Sequence, residues 1–298
     1  MDNFKSGFVS VVGLPNVGKS TFINAAVGQK ISIISSKPQT TRNKIIAIRT
    51  TKTSQIVFID TPGIHKPRTK LGEFMTNAAT GSIGDADVVL FVTVAGRPVT
   101  EKEKEIIGQI EESGVPAILV INKIDEAPKD KLPQQIAELN ELFDFEATVP
   151  VSAKHRDGIE ICLAEAEKLL EEGPMFYPEE EVTDMQMRGV VSEIVREKML
   201  RLLDKEIPHG TAVEIITYKE EENIIKISAD IYCEKASHKG IIIGKNGEML
   251  KRIGSYARAD IEKMTDQKVF LQLWVKVKDD WRNSDKMLKN FGYDNEDI

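Results

Sequence analysis

The sequence predicts an α/β fold, in which an N-terminal domain with a mostly parallel sheet flanked by helices precedes a smaller α+β domain. Between residues 8 and 170, short runs rich in Val and Ile alternate with amphipathic stretches. That alternation is typical of parallel strands buried between helices. A glycine, two prolines and three consecutive glutamates between residues 173 and 181 then interrupt the pattern, as in an exposed linker. We therefore expect a first domain over residues 1–175, a linker over 176–183 and a second domain over 184–298.

The first domain divides into six predicted strands and four predicted helices. The strands are expected at residues 8–12, 45–50, 55–59, 88–94, 117–121 and 148–151. The helices are expected at residues 20–27, 101–113, 131–142 and 159–170. Too few residues separate the second and third strands for a crossover, so these two are expected to form an antiparallel hairpin.

The second domain shows a different order of elements. A helix over 184–203 is followed by strands over 212–218 and 224–234, a short helix, a glycine-rich turn, a helix over 249–264 and a strand over 269–277. Residues 280–289 are expected to form a helical tail. Trp274 is predicted to lie in the core. Trp281 is predicted to be buried, with stacking on a nucleic-acid base as the alternative.

Composition excludes several classes of protein. The 298 residues include 40 basic and 47 acidic side chains, a net charge of -7, and 41% hydrophobic residues, which indicates a folded chain. Two cysteines are too few for a disulfide framework or a zinc site. No apolar run reaches the roughly 18 residues of a membrane helix, and the N-terminus lacks the apolar stretch of a signal peptide, so we expect a cytoplasmic protein. The net charge alone argues against a nucleic-acid partner, but it sums over surfaces that differ.

Residues 13–20 fit the phosphate-binding pattern G-x-x-x-x-G-K-[ST], between a predicted strand and a predicted helix. The glycines let backbone N–H groups curl around phosphate oxygens, and the helix N-terminus adds its positive end. Lys19 can reach the β- and γ-phosphates, and Ser20 can bind Mg²⁺. The predicted phosphate-binding residues are Gly13, Leu14, Pro15, Asn16, Val17, Gly18, Lys19, Ser20 and Thr21.

A second motif selects the base. Asn122, Lys123 and Asp125 follow a predicted strand, at the edge of the sheet where such folds bind ligands. The Asp125 carboxylate can accept hydrogen bonds from N1–H and the exocyclic amine of guanine, and adenine lacks this pair of donors. Lys123 can lie along the purine plane, and Asn122 can connect this loop to the phosphate loop. The guanine O6 is expected to contact the backbone of a further segment, Ser152, Ala153 and Lys154.

Two further segments are expected near the γ-phosphate and the metal ion. Asp60 is placed to reach Mg²⁺, and the Gly63 N–H can sense the γ-phosphate. A hydroxyl from Thr40 or Thr41 is expected to complete the Mg²⁺ shell. Loops 31–43 and 62–80 should therefore change order between the GTP and GDP states. The predicted GTP-binding residues here are Asp60, Thr61, Pro62, Gly63 and Ile64.

The segments 13–20, 60–63, 122–125 and 152–154, in this order and spacing, resemble the small GTPases, the P-loop NTPases specific for guanine. Residues 13–20, 37–42 and 60–65 are further similar to the Era family of bacterial GTPases. The resemblance implies that Thr41 is the switch threonine, so the predicted metal ligands are Ser20, Thr41 and Asp60. The predicted catalytic residues are Lys19, Asn16, Thr41 and Gly63.

Ile64 departs from Ras-like enzymes, which carry a glutamine here to position the attacking water. Because Ile64 cannot hydrogen-bond to water, intrinsic hydrolysis should be slow unless another group supplies charge or positioning. His65 is one candidate, although a lone loop histidine more often has no catalytic role. Related GTPases with an asparagine at the place of Asn16 bind K⁺ beside the phosphates, so K⁺ is a candidate second cation. The alternative is that Asn16 binds no K⁺ and only shapes the turn of the phosphate loop.

The second domain carries G-x-x-G between two predicted helices. Paired glycines let a nucleic-acid backbone approach closely, and the adjoining apolar face can hold about four unpaired nucleotides. Residues 179–234 hold 7 basic and 14 acidic side chains, whereas residues 235–289 hold 13 and 7, so the basic charge surrounds this loop. The order of elements is similar to a type II KH domain. The predicted RNA-binding residues are Ile243, Gly244, Lys245, Asn246, Gly247, Lys251, Arg252, Lys276, Lys278 and Arg282.

The Era family joins the same two domains. The resemblance implies GTP and GDP as ligands, binding to the 3′ end of 16S ribosomal RNA, and a role in assembling the 30S subunit. Membrane association occurs in the family, and because the sequence shows no membrane anchor, any such association is expected to be peripheral here. We also expect a monomer. Two alternatives stay open: a constitutive RNA-binding protein with a structural nucleotide, and a P-loop kinase for a small molecule. Residues 122–125 and the lack of an acceptor-binding segment disfavour the kinase.

Overall fold

The structure is a computed structural model that describes residues 4–35, 37, 40–64 and 66–293. It divides into two compact units, the first formed mainly by residues up to Asp184 and the second by residues from Met185 onward. None of the described helices is long and apolar enough to cross a membrane.

The first unit is built on a six-stranded sheet. Its strands are β1 (Lys5–Val12), β2 (Ile45–Thr50), β3 (Ser54–Asp60), β4 (Val88–Val94), β5 (Ala117–Asn122) and β6 (Ala147–Pro150), in the order β2-β3-β1-β4-β5-β6. Neighbouring strands are parallel, except that β2 and β3 form the predicted antiparallel hairpin. The Val- and Ile-rich strands are almost entirely buried because helices cover both faces of the sheet.

Helices α1 (Lys19–Val27) and α5 (Ile159–Leu169) pack on one face of this sheet. Helices α2 (Lys70–Gly84), α3 (Glu101–Ser113) and α4 (Leu132–Leu142) lie on the other face.

The sequence did not predict α2, and the expectation of a loop over 62–80 is wrong for residues 70–80. Its three glycines, two threonines and one serine have low helix propensity, but Met75 and Ile83 are buried. Burial of this apolar face therefore outweighs the local preference.

The segment predicted as a linker is attached to the first unit. Most of its side chains are exposed, as expected, but its backbone runs along the edge of β2. The Ile48 N–H donates to the Val182 carbonyl at 2.9 Å, and the Thr183 hydroxyl donates to the Ile46 carbonyl at 2.7 Å. This pairing covers part of an edge strand that would otherwise present free backbone groups.

The second unit has the predicted order of elements. These are α6 (Met187–Leu202), β7 (Thr211–Glu221), β8 (Ile224–Cys233), α7 (Ala236–Ile243), α8 (Glu248–Thr265), β9 (Lys268–Val277) and α9 (Asp285–Asn290). The sheet order is β7-β8-β9, with β7 antiparallel and β9 parallel to β8. Side chains of α6, α7 and α8 form the core against one face of this sheet.

The structure contradicts the prediction for Trp274 and confirms the predicted burial of Trp281. Trp274 is 48% exposed on β9, so its predicted core position is wrong. Successive side chains of a strand alternate between faces, and the buried Val269 and Val275 occupy the helix-covered face. Trp281 is fully buried and its indole N–H donates to the Gly210 carbonyl at 3.0 Å. Trp281 is therefore unavailable for stacking on a base.

Candidate nucleotide and RNA sites

The phosphate loop connects the end of β1 to the start of α1. Gly13 has φ 147° and Gly18 has φ 102°, a region that side chains rarely adopt. A Cβ at Gly13 would also collide with the Val92 carbonyl, and one at Gly18 with the Asn122 side chain. Asn16 has φ 65° and an exposed side chain. Both glycines of the motif are thus required by the backbone path and by close packing.

Six of the nine predicted residues of this loop line one cavity, whereas Gly13, Leu14 and Val17 do not. Ser35, Ile33 and Ile34 also line it; these three were not predicted individually, although they fall within the segment 31–43 expected to respond to nucleotide. The lining residues from the predicted set are Pro15, Asn16, Gly18, Lys19, Ser20, Thr21, Thr40, Thr41 and Gly63.

Lys19 is buried at the base of this cavity. Its Nζ donates to the carbonyl oxygens of Gly13 at 3.0 Å and Leu14 at 3.2 Å. Burial lowers the pKa of Lys19 to about 8, although the nearby Asp60 carboxylate acts in the opposite direction. A phosphate group would favour the charged form of this ammonium group.

The three predicted metal ligands lie together. The Ser20 and Thr41 hydroxyl oxygens are 3.0 Å apart, and the Thr41 hydroxyl donates to Oδ2 of Asp60 at 3.3 Å. Asp60 is fully buried; burial raises the pKa of its carboxyl group, while the charge of Lys19 lowers it. The other carboxylate oxygen, Oδ1, has no hydrogen-bond partner within the described part of the chain.

This ligand set fits Mg²⁺. A buried carboxylate oxygen without a hydrogen-bond partner is unusual and calls for a ligand such as a metal ion. Mg²⁺ typically takes one or two carboxylates and completes its shell with water and substrate phosphates. Among the residues described, no group of three or more His, Cys, Asp or Glu side chains is placed to hold a metal ion.

The segment after Asp60 lies against the phosphate loop. Its Thr61 hydroxyl donates to the Val11 carbonyl at 2.8 Å, and a Cβ at Gly63 would come within 2.7 Å of the Pro15 backbone. Ile64 is half-buried and packs into the apolar cluster beneath α2, α3 and α4. Its side chain therefore belongs to the core and supplies no polar group to the cavity. His65 lies outside the described residues, as do Pro38 and Gln39.

The base motif is joined to the phosphate loop as predicted. The Asn122 side chain donates to the Val17 carbonyl at 2.9 Å and accepts from the Ala153 N–H at 3.0 Å. Asn122 thereby connects three loops at the carboxyl edge of the sheet. Lys123 follows with φ 65°.

Asp125 is held in place by its neighbours. The Ser152 hydroxyl donates to Oδ1 of Asp125 at 2.6 Å, and this bond is the main cause of a lowered pKa of Asp125. Nε2 of His155 lies 3.5 Å from Oδ2. Asp125, Ser152 and His155 line one cavity with Ile124 and Leu132. The sequence predicted a contact of the base with the backbone of residues 152–154, but no role for the side chains of Ser152 and His155. A serine and a single histidine in a loop form no motif that would indicate such a role.

The G-x-x-G loop adopts the backbone that its glycines permit. Gly244 has φ 75° and Gly247 has φ 79°, and a Cβ at Gly244 would lie 2.7 Å from the Met249 side chain. Lys245 and Asn246 between them are exposed, whereas Ile243 before them is half-buried against the core. A nucleic-acid backbone can therefore approach the loop closely.

A groove adjoins this loop between α8 and β9. It is lined by Gly247, Leu250, Lys251, Gly254, Ser255, Arg258, Leu271 and Leu273. Arg258 was not among the predicted site residues, although it lies four residues after Gly254 on the same helix face.

The other predicted basic residues do not line this groove. Lys276 pairs with Asp230 at 2.5 Å, and Arg282 pairs with Glu234 at 2.6 Å. Arg252 is exposed on α8, and Lys278 is exposed just beyond β9. The structure thus divides the predicted RNA-binding set between the groove and other surfaces.

Comparisons with known proteins match both parts of the chain. A family model described as 50S ribosome-binding GTPase matches residues 8–123, and one described as KH domain matches residues 206–282. The chain is 52% identical over 292 residues to GTPase Era of Ruminiclostridium cellulolyticum, covering 98% of both chains. It is 49% identical over 290 residues to GTPase Era of Clostridium kluyveri, covering 97% of this chain and 99% of that one.

Two solved structures match nearly the whole chain. Both have a TM-score of 0.94 and 38% identity, and cover 97% of this chain and 99% of theirs. One is an Aquifex aeolicus Era variant bound to GDP.AlF4⁻. The other is Era in complex with MgGDPNP and nucleotides 1506–1542 of 16S ribosomal RNA. The predicted fold class, a P-loop GTPase domain followed by a KH domain, is confirmed, and the chain belongs to the Era family of GTPases.

Proposed function

We propose that the chain binds GTP, hydrolyses it to GDP, and couples its nucleotide state to binding of 16S ribosomal RNA in assembly of the small ribosomal subunit. The observation that carries the nucleotide half is the bridge made by Asn122. One side chain joins the phosphate loop, through Val17, to the loops that hold Asp125 and Ser152. Phosphate recognition and guanine recognition therefore belong to one rigid site.

Hydrolysis follows from how these residues are placed. Water attacks the γ-phosphorus in line with the departing GDP oxygen, and charge develops on the oxygens of the transferred group. The Lys19 ammonium group and the N–H groups of the phosphate loop stabilise that charge, and the Gly63 N–H adds a further donor. Mg²⁺ held by Ser20, Thr41 and Asp60 would neutralise charge on the phosphate oxygens.

The RNA half is supported by the second unit. Its G-x-x-G loop and the adjoining groove provide a close approach for the backbone, basic side chains at Lys245, Lys251 and Arg258, and an apolar floor. The similar Era structure that contains nucleotides 1506–1542 of 16S ribosomal RNA points to the same class of ligand. A monomer in the cytoplasm, with any membrane association peripheral, stays a prediction from the sequence.

K⁺ is proposed as a second cation, bound with the help of Asn16. The side chain is exposed at the phosphate cavity, while its left-handed backbone is equally compatible with a purely structural turn residue. Asn16→Gly separates the two roles, because glycine keeps the backbone conformation and removes the amide. We expect faster hydrolysis in KCl than in NaCl for the wild type, and equal rates for the variant. Equal rates for the wild type would exclude K⁺ use.

Single-turnover GTP hydrolysis with and without the RNA of nucleotides 1506–1542 tests the coupled function. We expect RNA to change the rate of the wild type and to have no effect on Lys245→Glu, which weakens RNA binding without touching the nucleotide site. An RNA-independent rate would favour the constitutive RNA-binding alternative. Competition by ATP as effective as that by GDP would favour the kinase alternative.

A further inference from the structure

The outer face of β9 carries two large aromatic side chains that the fold does not bury. The helices cover only one face of the three-stranded sheet, and Phe270 and Trp274 lie on the other, 49% and 48% exposed. They alternate with polar side chains in a row that we call the aromatic row: Lys268, Phe270, Gln272, Trp274 and Lys276. With a rise of about 3.3 Å per residue, the two rings are about 13 Å apart along the strand.

The aromatic row and the groove between α8 and β9 lie on opposite faces of the same strand, β9. Leu271 and Leu273 line the groove, and the residues that alternate with them form the aromatic row. β9 is also an edge strand of its sheet, so no other described strand separates the two surfaces. A chain that leaves the groove over this edge reaches Phe270 and Trp274 directly.

Three lysines flank the two rings. Lys226 lies opposite Phe270 in the strand register, and Lys268 and Lys276 lie at the two ends of the aromatic row. Lys276 pairs with Asp230 and Lys226 pairs with Glu221, so the charges of each pair offset one another, and Lys268 adds a positive charge at one end of the aromatic row.

The third carboxylate on this face, Glu214, accepts a hydrogen bond from the Tyr232 hydroxyl. Aromatic rings interleaved with lysines and an amide are typical of surfaces that stack single-stranded nucleic acid.

We propose that a single-stranded RNA seated in the groove continues across the edge of β9 and stacks two bases on Phe270 and Trp274. The inference rests on the proposed RNA binding and adds a second contact surface to it. Because every base has a stacking face, this surface adds affinity for longer RNA without adding sequence specificity.

The test compares two lengths of unstructured RNA taken from nucleotides 1506–1542, one of five nucleotides and one of twelve. For Phe270→Ala/Trp274→Ala in the full chain, we expect affinity for the twelve-nucleotide RNA to fall at least about tenfold, since each stacked base contributes measurably. Affinity for the five-nucleotide RNA, which the groove alone accommodates, should stay within twofold. Ile216→Ala is the matched control: it removes a side chain of 48% exposure from the far edge strand β7 and should change neither affinity.

The variant Phe270→Leu/Trp274→Leu keeps apolar bulk and removes the rings, so it should lose the same affinity for the longer RNA. Leucines that restore binding would show that the surface is merely apolar and would overturn stacking. Unchanged affinity for the longer RNA in the alanine variant would also overturn the proposal. Failure of the wild type to bind either RNA would instead contradict the proposed function.

Fluorescence provides a second readout. The chain has two tryptophans and Trp281 is buried, so the exposed Trp274 should be quenched when a base stacks on it. The longer RNA should quench the wild type, and this quenching should disappear in Trp274→Phe, which retains an aromatic ring and binding. Quenching that persists in Trp274→Phe would exclude stacking on Trp274.

Discussion

At the residue scale, Asp125 illustrates how a short motif is completed by its surroundings. A carboxylate after a strand is common, but here the Ser152 hydroxyl fixes its orientation and lowers its pKa. The group therefore remains ionised well into the acidic range. An ionised carboxylate presents only acceptors, which matches the two donors on the guanine edge.

Asp125→Asn is expected to change the base preference from guanine to xanthine. An asparagine amide offers one acceptor and one donor, so it leaves the exocyclic amine of guanine poorly paired and suits the oxygen that replaces this amine in xanthine. Affinity for GDP should fall at least about a hundredfold, the scale expected for losing a designed pair of hydrogen bonds. Competition binding with GDP and xanthosine diphosphate measures the change. Ser152→Ala is the control that should weaken GDP binding without creating xanthine preference.

Lys19 is expected to make nucleotide binding take up a proton above pH 8. In the protein without nucleotide its pKa is lowered to about 8 by burial, so the group is mostly neutral at pH 9, whereas phosphate oxygens stabilise the charged form. Proton uptake should rise from about 0.1 proton per GDP bound at pH 7 toward one proton at pH 9. Because binding takes up a proton, GDP affinity should fall as the pH rises over this range. Calorimetry in buffers of different ionisation enthalpy measures the uptake.

The control for this titration is Lys19→Arg, because an arginine stays charged throughout the range. Proton uptake on GDP binding that is equally small at pH 7 and pH 9 in the wild type would contradict the lowered pKa of Lys19.

Single residues also mark where the sequence was insufficient. The glycines of both loops could be predicted from the two motifs, and the structure gives them positive φ angles that side chains rarely adopt. The exposure of Trp274 could not be predicted, because hydrophobicity does not say which face of a strand the helices cover. The role of the Ser152 side chain escaped prediction because it depends on a contact between residues 27 positions apart.

At the element scale, the strands were predictable and α2 was not. The Val- and Ile-rich runs identify β1 to β6 within a few residues, since strands buried on both faces need no polar alternation. In α2 the residues that pack on the sheet are separated by Gly, Thr and Asn, which locally favour turns. The linker was predicted to be exposed from its charge and proline content. Its attachment to the first unit was not predicted, because it depends on contacts with distant residues such as Gln55 in β3.

Gln55→Ala is expected to release residues 176 and 177 from the first unit. Oε1 of this buried glutamine accepts from the N–H groups of Phe176 and Tyr177 at 2.8 and 3.0 Å, and Nε2 donates to the Tyr177 carbonyl at 2.8 Å. Losing these bonds should lower the free energy of unfolding by about 1–3 kcal/mol. It should also accelerate hydrogen exchange at both amides.

Gln135→Ala is the matched control. Its side chain is also a buried amide, donating to the Val94 carbonyl and accepting from the Gly96 N–H. Its loss should destabilise the unit to a similar extent and leave exchange at residues 176 and 177 unchanged. Equal rates of hydrogen exchange at the amides of residues 176 and 177 in both variants would show that Gln55 does not hold the linker.

At the scale of the whole molecule, the net charge of -7 conceals an uneven distribution. The excess of basic residues lies in the segment 235–289, which contains the G-x-x-G loop, α8 and β9. The preceding segment 179–234 is acidic by a similar amount. An acidic protein can therefore present a basic surface to RNA while its remaining surface repels RNA elsewhere.

Coupling between the two units is expected to be reciprocal. If nucleotide state changes RNA affinity by some factor, RNA must change the relative affinity for the two nucleotides by the same factor, typically at least about fivefold for an allosteric protein. RNA anisotropy with GDP or a non-hydrolysable GTP analogue gives the first factor, and nucleotide competition with and without RNA gives the second. Asp125→Asn with xanthine nucleotides supplies the control, since coupling should follow the nucleotide that the site accepts. RNA affinity that is the same in both nucleotide states would mean that the GTPase unit and the KH unit act independently.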